Sequence, residues 1–320
     1  MAKDVSKYAR FDPMFLTDGL FVPTARKGQA LYEVGREYDH GEVRFKGVQL
    51  TAAHQSVLLA VCARTGRNGL LVRGTKDDTL GDQFTLDLLN DPKAGKRAVE
   101  ALEAVAEAER KDKAIVECSA YSLLMDAGME TGGKDYKKVA DLLSDLATVV
   151  LYRRVGKRGA ASNLLSFVHD GDKMSIALNW RLAESILGEA QNIQVSLLER
   201  HNLQGSVARL LHAWLSAHIR QGFSLMDGQG AKLDTLARHI WGNRPVSDSV
   251  KWKRRFELKK AIVEIGQLDG WAASVDERNI ARFSRPCFIE KRTPGQQVEL
   301  KKRADQVSEA LADWTTKLKR

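Results

Sequence analysis

Residues 244–265 set the terms on which the rest of the chain can fold. Between Arg244 and Lys260 stand seven cations (Arg244, Lys251, Lys253, Arg254, Arg255, Lys259 and Lys260) against Asp248 and Glu257. Leu258, Ala261, Ile262 and Ile265 follow at helical spacing. Apolar residues so spaced make one face of a helix that must be covered. Pro245 with Ser247 or Asp248 supplies its start, and the turn Gly266-Gln-Leu-Asp-Gly270 its end. Such a helix buries its second half and holds a basic first half in solvent, where a polyanion neutralises it. A solvated basic face with no ligand is the competing reading. The surplus of five charges is more than half of the formal net charge of +9.

A chain of 320 residues exceeds one ordinary core and implies two domains. With 43% hydrophobic residues and only six prolines, disorder is excluded as the main state. A sequence pI near 9.4 favours nucleic acid or an anionic membrane surface as partner. The longest unbroken apolar run, Val57 to Ala63, falls far short of the roughly 20 residues that cross a bilayer. Asp4, Arg10 and Asp12 interrupt any apolar core of a signal peptide. The expected place is therefore the cytoplasm, with no membrane partner. Cys62, Cys118 and Cys287 are odd in number and far apart in sequence, so free, mostly buried thiols are expected rather than disulfides or a zinc site.

The elements follow a repeated order. Residues 1–30 read as an arm packed on the first domain. Tyr32 to Lys46 alternates as a strand, and Thr51 to Arg64 reads as a helix. Residues from about 73 to 113 form an insertion that includes an Ala/Glu-rich helix. A strand (Ala114 to Cys118) then leads into helices from Ser119 to about Ala127 and from about Lys134 to Ala147, with Val139, Leu142, Leu143 and Leu146 as a stripe. Val149 to Val155 and Asn163 to His169 read as a hairpin joined by the basic turn Gly156-Lys-Arg-Gly159, and Lys173 to Leu178 as a further strand. The pattern restarts with Ser206 to Arg220, Lys232 to Trp241, the basic helix, and a hairpin of Trp271 to Val275 with Ile280 to Ser284. The expected fold class is α+β, helix-rich: two tandem winged-helix domains each with a β-hairpin wing. The boundaries are 31–192 for the first domain and 193–290 for the second, with a charged helical tail at 291–320.

In a helix-turn-helix the second helix meets base edges with its N-terminal residues. Here those are Ser247, Ser249, Lys251, Lys253, Arg254 and Arg255, with Lys259 as a backbone contact. Arg forms bidentate pairs with guanine, and Lys or Ser contacts phosphate. Trp252 and Phe256, four apart, share a face that is expected to pack. Arg278, Arg282 and Arg285 in the second hairpin, and Lys157 and Arg158 in the first, are candidate wing contacts. An isolated Lys-Arg turn is also common as a merely solvated one.

Signals for chemistry are weak. Gly128-Met-Glu-Thr-Gly-Gly133-Lys134 has phosphate-loop spacing, but Asp135 stands where Ser or Thr holds magnesium, and a helix precedes it where a strand is required. The seven histidines form neither His-x-His nor His-Glu-x-x-His. Six tyrosines each could attack a phosphodiester, yet none is marked by metal ligands. The expectation is a protein with no catalytic residue, metal or cofactor. A tyrosine-dependent nickase and a transcriptional regulator of the same fold are the rival readings.

Met174-Ser-Ile-Ala-Leu-Asn-Trp-Arg-Leu-Ala-Glu-Ser-Ile-Leu-Gly188, Ala208-Arg-Leu-Leu-His-Ala-Trp-Leu215, Leu233-Asp-Thr-Leu-Ala-Arg-His-Ile-Trp241, the Lys-Arg-Arg helix and Gly270-Trp271 resemble the RepC-type replication initiators of broad-host-range plasmids. More distantly they resemble the TrfA-type initiators. Asp12-Pro13 to Leu20-Phe21 and Arg67-Asn-Gly-Leu-Leu71 are similar too. The resemblance implies two winged-helix domains that bind direct repeats, called iterons, in double-stranded DNA at a plasmid origin. It implies opening of an AT-rich region, loading of a replicative helicase, and possible monomer–dimer exchange. The acidic region from Arg73 to Arg110 is longer than in that family, and the tail after Lys291 has no counterpart there.

Overall fold

The computed structural model describes residues 8–31, 34–38, 41–68, 70–72, 113–155, 158–188 and 190–287. All but the last residue of the expected insertion, Lys157 of the basic turn, and the tail 291–320 lie outside the described residues, as does the side chain of Arg158.

The chain begins with β1 (Tyr8–Phe11), β2 (Phe21–Val22), β3 (Val34–Tyr38), β4 (Gly41–Lys46) and β5 (Leu50–Thr51). A first run follows: α1 (Ala52–Asn68), β6 (Leu70–Val72), β7 (Lys113–Ser119), α2 (Ala120–Asp126), α3 (Gly133–Thr148), β8 (Val150–Val155), β9 (Arg158–Asn163), β10 (Leu165–Asp170) and β11 (Lys173–Leu178). A connection comprises α4 (Trp180–Leu187), β12 (Ile193–Ser196) and α5 (Leu197–His201). The second run is α6 (Ser206–His218), β13 (Ala231–Lys232), α7 (Leu233–Trp241), α8 (Asp248–Gly266), β14 (Ala272–Val275) and β15 (Ile280–Ser284).

Both runs share one topology. In the first, β11 lies between β10 and β7, and in the second, β15 lies between β14 and β13. With β6 and the β8–β9 pair of the first run set aside as additions, each places helix, strand, helix, helix and hairpin in that order, with the returning hairpin strand between the other hairpin strand and the strand that follows the first helix. The local causes are ordinary. Val139, Leu142, Leu143 and Leu146 are all buried on α3, at the spacing that puts them on one face. Met174, Ile176 and Leu178 alternate inward along β11. Ser119 opens α2 with a capping box, its Oγ accepting from Ser122 N at 3.1 Å while Ser122 Oγ accepts from Ser119 N at 3.2 Å.

The first hairpin differs from the sequence expectation. Of residues 163–169 only Asn163 pairs with the strand at 149–155, opposite Val150; β8 folds back on β9, and these two extend the sheet β3-β4-β8-β9. The chain then changes sheets at Leu164 and Leu165, two consecutive residues that are both buried. Alternation breaks there, so the strand that begins at Leu165 pairs with β11 instead.

The arm also does more than lie on the first run. β1 pairs antiparallel with β12, and Phe11, Phe15 and Phe45 form a chain of rings with centroids 5.7 and 5.8 Å apart. Farther along, Asp18 Oδ1 meets His239 Nδ1 of α7 at 2.5 Å. Gly19 and Gly242, both at positive φ, touch backbone to backbone. Gly242, with φ 79° and ψ 171°, occupies a conformation essentially confined to glycine. The arm thus reaches the turn that leads into α8.

Between the runs sits Arg200, 1% exposed. Its Nη1 donates to Arg209 O of α6 at 2.5 Å, and Nε and Nη2 to Ser56 Oγ of α1 at 3.3 and 3.2 Å. Burial, with Arg209 nearby, pushes its pKa down to about 9. Next to it the fully buried His212 Nε2 lies 2.7 Å from Glu199 Oε2.

Burial depresses the pKa of His212, against the opposing pull of Glu199, and that of His54 and His218 as well. Charges facing His212 include Arg200 and Arg285, which lower it further. A folded-state pKa below the unfolded 6.5 means that the unfolded chain binds more protons in that interval, so stability falls as pH drops through 6.5. Urea unfolding at pH 7.5 and pH 5.5 is expected to show lower stability at pH 5.5. In His212→Gln the pH dependence is expected to be shallower.

Candidate nucleic-acid interface

Only the second half of α8 is rooted in the core. Leu258, Ala261, Ile262 and Ile265 are buried, each burial being worth about 1.5–3 kcal/mol for the larger side chains. Glu264 adds a polar anchor, accepting from Gln204 N and, at 2.9 Å, from Gly205 N at the start of α6. Gly205 is the N-cap of α6 and offers no side-chain cap, so the carboxylate of Glu264 satisfies amides that would otherwise be open and sits at the positive end of that helix.

The first ten residues of α8, 248–257, include no buried residue. At 100° per residue they divide into two sides. Lys251, Arg254 and Arg255 fall on the side of Leu258 and turn toward α7. Arg255 donates Nε to Asp234 Oδ1 at 2.7 Å and Nη2 to Asp234 Oδ2 at 2.5 Å. This bidentate pair raises the Arg255 pKa and lowers that of Asp234. Arg254 lies over the Trp241 ring, 5.4 Å from its centroid; partial burial, and then Arg244, lower its pKa. Lys251 Nζ donates to Asp248 Oδ1 at 2.8 Å. Together with Arg238 and Arg244 these residues line a groove of about 530 Å³ between α7 and α8.

The other side faces solvent. It carries Ser249, Lys253, Phe256 and Lys260, with Trp252 at its edge on the rim of the groove, all exposed. Trp252 is 67% exposed and Phe256 44%. Their rings stack with centroids 5.7 Å apart and planes 6° from parallel. Lys260 Nζ stands 4.5 Å from the Phe256 centroid. The expectation that Trp252 and Phe256 pack is thus corrected: α7 covers the opposite side of α8.

Ser247 caps α8 by backbone position alone, its Oγ lying 3.0 Å from Ser249 Oγ. Lys259 is exposed. In the second hairpin the turn at 276–279 closes with Asn279 at φ 59°, a conformation Asn tolerates. Asp276 accepts from Ile280 N at 2.9 Å and from Arg282 Nη1 at 3.0 Å. Arg278 and Arg282 are exposed beside that turn. Arg285 is the one wing candidate the structure removes. It is 5% exposed and donates Nη1 to Ser216 O and Ile219 O at 2.8 and 3.1 Å, and Nη2 to Gln194 O at 2.8 Å. β15 ends at Ser284, and the next side chain turns under the end of α6, where three carbonyls occupy its donors.

Sequence reasoning missed Asp234, Arg238 and Trp241 as neighbours of the basic helix. The signal was the acidic start and basic end of 233–241, read only as an amphipathic helix.

Fold and site define a class: a helix-rich α+β protein with two runs of one topology, the second projecting a basic, aromatic helix into solvent. The replication protein C (RepC) family profile matches residues 3–287; the chain belongs to that family, and it is a RepC-type replication initiator. No curated protein matches it in sequence. Among solved structures, the crystal structure of domains 2 and 3 of RctB aligns with a TM-score of 0.48 at 9% identity, over 85% of this chain and 97% of that one. Among the described residues, no helix is long and apolar enough to cross a membrane.

Proposed function

We propose that this initiator binds directly repeated sites in double-stranded origin DNA through two winged-helix units and opens an adjacent AT-rich segment where a helicase is loaded. It performs no covalent chemistry on the DNA. The observation that carries this reading is the repeated topology with α8 as the third helix of its second copy. In a winged helix that position is the reading surface, and the exposed first half of α8 supports the same role here. α3, the matching helix of the first run, exposes Lys137 and Lys138 but also Asp141, so the second unit dominates binding. Two units on one chain engage major-groove segments roughly 34–36 Å apart. Bending the site costs about 1–6 kcal/mol, offset by the second set of contacts.

Within α8 the sides divide the labour. Arg254, Arg255 and Lys251 form a basic wall toward the backbone, and the side bearing Ser249 and Lys253 faces the bases. Arg255→Ala is expected to weaken binding to all sequences alike and to reduce the salt slope by about 1, as measured by titration of a specific and an unrelated duplex. A loss confined to the specific duplex would move Arg255 to the base-reading side.

Opening is tested on a supercoiled plasmid carrying the origin. Thymines of the AT-rich segment are expected to become permanganate-reactive on adding the protein. Nicked circles with a covalent protein–DNA adduct in magnesium or manganese would show a nickase instead.

A further inference from the structure

We infer that the stacked pair Trp252 and Phe256 reads thymine, by receiving its C5-methyl group in the major groove. This rests on the proposal that α8 enters that groove. Four observations converge on it. Both rings are exposed, 67% and 44%, on a helix whose opposite side is covered by α7. They are held nearly parallel, 6° apart, and Lys260 lies over the Phe256 ring, so their geometry is set before any partner arrives. They lie in the projecting half of α8, before the first buried residue, Leu258. Lys253, Lys259 and Lys260 flank them, all exposed.

The flanking charge selects the occupant. A second copy of a chain with net charge +9 meets like charge there, whereas DNA brings phosphates on either side and apolar groups between them. In the major groove the apolar group offered is the thymine methyl, beside the O4 acceptor. Arg254 and Arg255, the residues best suited to guanine, are turned away onto Trp241 and Asp234. Readout by this helix therefore leans on methyl burial more than on bidentate hydrogen bonds.

Deoxyuridine removes this methyl and nothing else. In the repeat that the protein protects, each thymine is replaced singly by deoxyuridine and binding is measured for the wild type and for Trp252→Ala, Phe256→Ala and the double variant. Circular dichroism confirms the fold of each. The wild type is expected to lose about four-fold in affinity at one or two thymines, the worth of one buried methylene-sized group. The double variant is expected to bind thymine and deoxyuridine repeats equally. Wild-type binding that is indifferent to every replacement would overturn the inference and leave the initiator reading intact. An equal loss of affinity by the double variant for thymine and deoxyuridine repeats, with its own sensitivity to replacement unchanged, would also overturn it. So would a deficit of the variants seen only on single-stranded oligothymidine, or only in sedimentation as loss of a dimer. Failure to bind any origin repeat would remove the proposed function together with the inference.

Discussion

Arg200→Ala is expected to lower the unfolding free energy by about 2–5 kcal/mol, and Arg200→Met by much less or not at all. The alanine variant leaves a cavity between α1, α5 and α6 that the surrounding helices fill only in part. It also removes the donors to Arg209 O and Ser56 Oγ. Methionine fills most of the volume and relieves the cost of holding a charge at a site 1% exposed, whose interior location already depresses the guanidinium pKa to about 9. Replacement of buried charge by apolar groups of similar size is often neutral or stabilising. Urea unfolding midpoints with unchanged slope measure both. An alanine variant as stable as the wild type would mean that α1 and α6 close over the gap and that Arg200 is not what joins the two runs.

The second large effect is of salt on origin binding. With six to ten phosphates neutralised, affinity is expected to fall by about 10³–10⁵ between 50 and 200 mM salt. The cations available for this include Lys259, Lys260 and Arg278, all exposed, with the basic groove between α7 and α8 beside them. The logarithm of affinity against the logarithm of salt gives the number directly. A slope shallower than about −2 would mean that these residues do not meet a phosphate backbone.

The helices of both runs were legible because their apolar stripes and start signals are strong. Leu258, Ala261, Ile262 and Ile265 mark the rooted half of α8, and Pro245 with Ser247 marks its beginning. Which side of the projecting half is covered was not legible. Trp252 and Phe256 at four-residue spacing have the pattern of packed residues, and only the position of α7 shows that the other side is the covered one. Arg285 continues the run of exposed cations in sequence, yet one residue beyond β15 the chain passes under the end of α6. Sequence spacing carries no trace of the carbonyls waiting there. Arg200 lies in no element or motif that the sequence singles out, since a buried arginine bound to backbone oxygens has no partner motif. The pairing of β8 was obscured by Ala160, Ala161 and Ser162, a stretch of β9 too weakly patterned to announce a strand.

The most direct test of the account is a hydroxyl-radical footprint on the DNA that flanks the gene. Several direct repeats, each with protected backbone segments one helical turn apart at about one monomer per repeat, are the predicted result. A single inverted repeat protected by a dimer, or no protection at all, would contradict it.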